Sequence, residues 1–268
     1  LGSALALAGG GAGLRGYVIE TTVPAAAGCP AANRWNVESG AALQLQWSTS
    51  IPQWIVSAAG DGSAGQIPEV QGVVEQSIGA WTGVPMTGVN PVVSGVALEL
   101  TPTSVADSCT NDAGTNVDGV NTICFNQTSE AFTEGVLAFT RVITANAPGV
   151  SVGSSATASF AGQILDSDTL FNNTGQVTFA TPGALASTPG AYDLATLLTH
   201  ELGNYFGLDN SAIRRAIMFP FAPPPGSFIG SRPGNRTPDA QLSDDDRTGL
   251  RVLYPDAADS TTYVGVIT

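Results

Sequence analysis

The apolar positions of this chain follow two periods. Ile67, Val70, Val73, Val74, Ile78 and Trp81 recur at helical spacing, with Glu69, Glu75 and Gln76 between them. Pro68 suits a first turn, and Gly83 and Pro85 end the run. A second helix is expected from Tyr192 to Tyr205, with Asp193 near its start and Gly207 breaking it. A third is expected from Leu242 to Leu253. There Ser243, Asp244 and Asp245 favour the N-terminal end, and Leu250, Val252 and Leu253 supply the apolar side. Alternation of apolar and small residues predicts strands over 89–100, Val136–Ile143 and Ala156–Leu165, the last continuing to Asn172. Thr261 to Ile267 reads as a terminal strand. From Ser211 to Pro238 the chain is loop-like, and Pro223-Pro224-Pro225 forbids regular structure.

Between these elements the chain changes character. Residues 1–12 are small and apolar, like the end of a signal peptide or an N-terminal segment ordered by packing on the domain or on a neighbouring copy. Residues 13–65 read as an extended lead-in with short strands, anchored by Trp35 and Trp54. The main domain is expected over 66–256, followed by a tail or strand at 257–268. At 268 residues the chain is long enough to bury a sizeable core.

Composition narrows the function classes. The nine basic residues are all arginine, against 22 acidic ones, and the net charge is −13. Such a balance argues against a nucleic-acid backbone or an anionic membrane surface as partner. No segment is apolar over the length a bilayer needs. With 32 Gly, 17 Pro and only 12% charged residues, short strands and turns are favoured over long solvated helices.

Cys109 and Cys124 flank a polar loop, where a disulfide would suit an exported protein; three buried free thiols is the competing reading. Cys29 would be left over, buried or paired with another chain. Asp112, Asn116, Asp118 and Asn121 alternate around Gly119 like part of a calcium loop, but no acidic residue closes it. An Asx-turn loop reads the same residues without a cation. Asn126, Asn172 and Asn235 sit in N-x-S/T sequons. Asp166 and Asp168 read as turn or edge-strand residues, with metal binding as the minor alternative.

The sharpest motif is His200-Glu201-Leu202-Gly203-Asn204-Tyr205-Phe206-Gly207-Leu208-Asp209-Asn210, followed by Ala216-Ile217-Met218-Phe219-Pro220. Histidines at i and i+4 share a helix face and can bind one zinc, with a glutamate beside the first. The segment resembles the H-E-x-x-H-x-x-G-x-x-H active site of metzincin peptidases, closest to the matrixin-like enzymes that bacteria secrete. The likeness extends over about residues 67–255, including a closing helix that ends in Tyr254-Pro255.

The resemblance implies an α+β fold: a twisted mixed sheet with two long helices and a closing C-terminal helix. It implies hydrolysis of peptide bonds in extracellular proteins, with protein or peptide substrates. His200 would be a zinc ligand, Glu201 the general base and Met218 the methionine turn; Phe219, Pro220 and Phe221 would line the substrate cleft. The departures fall on the other two ligand positions, Asn204 and Asn210. His200 is the sole histidine, so no other imidazole replaces them. A carboxamide oxygen is a poor zinc ligand, so zinc is expected only if 204 and 210 are histidine. As written, the expected protein is an inactive peptidase. Natural loss, substitution against autolysis and misread histidine all stay open as origins of the asparagines. The alternative function is a non-catalytic extracellular binding or self-assembling protein on the same fold, associating through its N-terminal segment or Cys29.

Overall fold

A computed structural model describes residues 3–6, 17–25, 28–37, 43–60, 65–84, 98–103, 118–127, 130–151, 157–229 and 242–255. Strands β1 (Ser3–Ala6), β2 (Val18–Ile19), β3 (Thr21–Thr22), β4 (Ala31–Ala32), β5 (Leu43–Ser48), β6 (Ile55–Val56), β7 (Leu98–Thr103), β8 (Thr122–Cys124), β9 (Val136–Thr144), β10 (Ile164–Phe171), β11 (Phe179–Ala180), β12 (Tyr192–Asp193) and β13 (Leu208–Asp209) accompany four helices among the described residues. The helices are α1 (Gln66–Thr82), α2 (Pro182–Leu185), α3 (Leu194–Tyr205) and α4 (Asp244–Leu253). The fold is α+β. Its main sheet has the order β1-β9-β10-β8-β5-β7. It is mixed: β9 runs antiparallel to both β1 and β10, and the remaining neighbours are parallel.

Three expectations differ from what is seen. The strand expected from Ala156 starts only at Ile164. Residues 157–163 turn instead, because Gly162 adopts φ +89° with its amide bonded to Ala145 O and its carbonyl to Arg34 N. A Cβ at Gly162 would lie 2.3 Å from Ala32 O, so the close approach requires glycine. Second, Leu43–Ser48, within the stretch read as a lead-in, is an interior strand of the main sheet, between β8 and β7. Third, the strand expected over 89–100 is described only as Leu98–Thr103, and 89–97 lie outside the described residues. The expected terminal strand at 261–267 also lies outside them.

β10 is buried at all eight positions, yet carries Asp166, Ser167, Asp168 and Thr169. Buried polar groups need partners, and several here stitch the sheet together. Ser167 N donates to Asn121 Oδ1 (2.9 Å), Thr122 N to Asp168 Oδ1 (3.1 Å), and Thr169 Oγ1 lies 2.9 Å from Thr140 Oγ1.

Helix α1 buries Val70, Val73, Val74, Ile78 and Trp81, the face its periodicity marked. That face packs against α3. Trp81 Nε1 donates to Thr199 O (2.8 Å) in the middle of α3. The two helices approach this closely because of Gly203: a Cβ there would sit 2.8 Å from Trp81 Cζ2 and 2.2 Å from Met218 Sδ.

All twelve residues of α3 are buried. A helix with no wet face must find protein partners for its end groups. Asp193 caps the N-terminus, accepting from Thr196 N (3.0 Å) and Thr196 Oγ1 (2.6 Å). At the other end Trp35 Nε1 donates to Tyr205 O (2.9 Å), the Tyr254 hydroxyl to Phe206 O (2.7 Å), and Glu20 N to Gly207 O (2.9 Å). The same Tyr254 oxygen accepts from Trp35 N (3.0 Å). Gly207 turns the chain out of the helix at φ +94°, and a Cβ there would be 2.1 Å from Asn33 O.

These contacts predict two losses. Tyr254→Phe strips Phe206 O and Trp35 N of a buried partner and should cost about 2–6 kcal/mol, at about 1–3 kcal/mol per unsatisfied group. Gly207→Ala combines a left-handed backbone with a backbone clash and should cost at least about 2 kcal/mol. Urea unfolding midpoints measure both; unchanged midpoints would refute this account of the helix end.

Candidate metal centre

The site is built on the second half of α3 and the loop that follows it. His200 is fully buried, and its Nδ1 lies 2.8 Å from Ile217 O. A carbonyl only accepts, so Nδ1 carries the proton and, in the neutral ring, Nε2 carries the lone pair. Glu201 is fully buried too. Its Oε2 receives Thr140 Oγ1 at 2.8 Å and Asn204 Nδ2 at 3.2 Å. The Thr140 hydroxyl has one hydrogen, and the carboxylate is its strongest acceptor. Thr169 therefore donates to Thr140, giving a chain that runs Thr169, Thr140, Glu201.

Asn204 is oriented by the same carboxylate. A carboxylate accepts only, so the amide must present its NH2 to Glu201. Its oxygen is then left buried with no hydrogen-bond partner among the described residues, as is the amide oxygen of Asn210. Asn210 follows β13 and donates its backbone N to Asp209 Oδ1 (2.6 Å).

The loop returns beneath the helix. Ser211 N donates to Met218 O (2.7 Å), closing the segment between them. Two acids from the first turn of α4 hold it. Asp245 Oδ2 accepts from Ser211 Oγ (2.7 Å). Asp246 accepts from Ile217 N (2.9 Å) and Met218 N (3.2 Å), while closing a capping box with Ser243. Met218 is buried against Gly203. Past it, Phe219 and Phe221 stack edge to face with centroids 5.6 Å apart; both are half-buried, as is Pro220.

The structure thus brings His200, Glu201, Asn204 and Met218 around one stretch of α3, with Asn210 on the return loop. Thr140, Thr169 and Asp246 complete the arrangement, and sequence reasoning missed all three as site residues. Asp246 had a readable signal as the third residue after the Ser243 cap. The threonines had none, because their role depends on a strand register.

Other sequence candidates lie elsewhere. Asp118 accepts from Val120 N (2.8 Å), an Asx turn, and Asn121 binds Gln44 O and Ser167 N across the sheet. Asp112, Asn116, Cys109 and Asn235 lie outside the described residues. Cys124 is buried and Cys29 is exposed and free. Asn172 is buried with its amide on Val136 O and Thr174, and Asn126 Nδ2 donates to Ser50 Oγ.

The donor set does not fit zinc. Among the described residues no three His, Cys, Asp or Glu side chains group to hold a metal. The candidate ligand positions offer one imidazole and two neutral amides, and one amide already spends its NH2 on the carboxylate. Zinc sites use imidazole, thiolate or carboxylate.

Asp246 makes this region pH-sensitive. Burial raises its carboxyl to about 6, against the pull of its bonds from Ile217, Ser243 and Met218. A raised acid favours the folded state most when protonated. Its contribution is therefore full below the unfolded value near 3.8 and lost as pH climbs through about 6. Between pH 4 and 7 the wild-type chain should lose about 2–3 kcal/mol of stability relative to Asp246→Asn, at 1.36 kcal/mol per unit. Unfolding curves at both pH values test this; a constant difference between the two proteins would contradict it.

A match to a known family covers this same region. Residues 147–255 match the family described as Matrixin. A curated relative, Metalloendoproteinase 1 of Glycine max, is 39% identical over 64 residues, which is 24% of this chain and 17% of that protein's length. Residues 147–255, which hold the site helix α3, the return loop and the closing helix α4, are thus similar to the matrixin family.

Proposed function

We propose that this chain is a secreted, matrixin-like protein in which the peptidase fold no longer hydrolyses peptide bonds. The observation that carries the reading is the Asn204 amide bound to Glu201 Oε2. The position that would offer a lone pair to zinc instead donates a hydrogen to the general base. With Asn210 at the third position, His200 is the one imidazole left. Glu201 is held by Thr140 and Asn204 as a hydrogen-bonded part of the core.

Export from a bacterial cell is supported by cysteine usage. Among the described cysteines Cys29 is the free one, and Cys124 is disulfide-bonded. Pairing of Cys124 with Cys109 accounts for both. No described helix is long and apolar enough to cross a membrane.

The test is metal content and proteolysis. The wild-type chain should hold no stoichiometric zinc and leave a casein substrate intact. Asn204→His with Asn210→His should take up about one zinc per chain, the stoichiometry of a three-histidine site. One zinc in the wild-type protein, with chelator-sensitive proteolysis, would overturn the proposal and restore the peptidase reading.

The second reading, an extracellular binding or self-assembling protein, is favoured by the exposure of Cys29. It predicts a disulfide-linked dimer on non-reducing electrophoresis that Cys29→Ser abolishes. A strictly monomeric species with a titratable Cys29 counts against covalent assembly.

A further inference from the structure

Glu201 is bonded to the sheet as well as to its own helix. Thr140, fully buried in the middle of β9, donates to Glu201 Oε2 at 2.8 Å and lies 3.1 Å from the Glu201 backbone oxygen. Thr140 is held in turn. It stands opposite Thr169 on β10, and the two hydroxyl oxygens are 2.9 Å apart. With Thr169 donating into Thr140, the single Thr140 hydrogen goes to the carboxylate. Both threonines are buried and stiff at χ1, so neither swings aside without breaking a buried bond.

The helix supplies a second donor to the same oxygen. Asn204 Nδ2 reaches Glu201 Oε2 at 3.2 Å. A general base has to come within hydrogen-bond reach of the proton it removes and keep a lone pair for it. Oε2 has two lone pairs, and Thr140 and Asn204 occupy both. The two contacts differ in origin. Asn204 belongs to the ligand frame of the motif. Thr140 lies 61 residues from Glu201 in sequence, on a strand that supplies none of that frame. Replacing Asn204 by histidine removes the first contact and leaves the second.

We propose that Thr140 is a lock on the site: a positioning residue whose hydroxyl keeps the Glu201 carboxylate bonded to the sheet, so that histidine at 204 and 210 does not by itself restore hydrolysis. The lock rests on the loss of hydrolysis proposed above and adds a second break to it. The first break lies in the donor set at 204 and 210. The second lies in the β9–β10 register, which sets Thr140 and Thr169 side by side where β9 packs against α3.

Two measurements on the full chain test it. In the wild-type background, without added metal, a double-mutant cycle pairs Thr140→Val with Glu201→Leu. With Glu201 present, Thr140→Val should raise the unfolding equilibrium constant at least about tenfold, the scale of a lost hydrogen bond to a charged group; with leucine at 201 the rise should stay below about twofold. Thr140→Ser, which keeps the hydroxyl, should show no such dependence on residue 201. Equal effects of Thr140→Val in the two backgrounds would overturn the contact. In the Asn204→His/Asn210→His background, Thr140→Val should leave zinc content and KM for a peptide substrate unchanged and raise kcat at least about tenfold. Thr140→Ser should stay as slow as its parent. Zinc-loaded chains with the same kcat for valine and threonine at 140 would overturn the lock. The cycle needs neither zinc nor hydrolysis, so failure of the contact is separable from failure of the functional reading.

Discussion

A helix buried on every side governs this structure. All twelve residues of α3 are out of water, so the ends of its hydrogen-bond ladder have to be met by protein. Asp193 meets one end. Trp35, Tyr254 and the backbone of Glu20 meet the other, from segments far apart in sequence. Each of these partners is itself placed by the helix it serves. That mutual dependence explains how the N-terminal part of the chain and the closing helix α4 are bound to one core.

The candidate site inherits its geometry from the same constraint. A helix fixed at both ends and pierced at Gly203 by Met218 and Trp81 holds His200 and Glu201 at set positions. The return loop is held by Asp245 and Asp246, so α4 sets the position of Ile217 and thereby the tautomer of His200. The sheet contributes through Thr140 and Thr169, which converge on Glu201 by the β9–β10 register. Asn204 joins this network as a donor. The two buried amide oxygens at 204 and 210 lack protein partners among the described residues. Orphan acceptors of this kind cost about 1–3 kcal/mol each. The arrangement keeps the scaffold around the motif while its donor chemistry departs from a zinc site.

The edge of β9 adds a second layer to the same region. The helix and strand that hold Glu201 are also those against which β1 lies.

By itself the sequence determined the three longer helices and the motif. The period of Val70, Val74, Ile78 and Trp81 marked the buried face of α1 because side chains three and four apart share one face. Ser243 and its acidic followers marked the start of α4, and Gly207 the end of α3, because caps and left-handed turns are local chemistry. The frame around His200 pointed to the matrixin likeness that the comparisons also found over 147–255. Only the tertiary structure decided the rest. The alternation of small residues at 157–163 looked like a strand, yet Gly162 is forced to turn by its contact with Ala32. Leu43–Ser48 gave no sign of belonging to the sheet interior, since its neighbours β8 and β7 are distant in sequence. Thr140, Thr169 and the pairing of Ser3–Ala6 with β9 were invisible for the same reason. A periodicity records which face of an element is buried; it carries no record of which remote strand lies beside it, and that register is what brings a donor to Glu201.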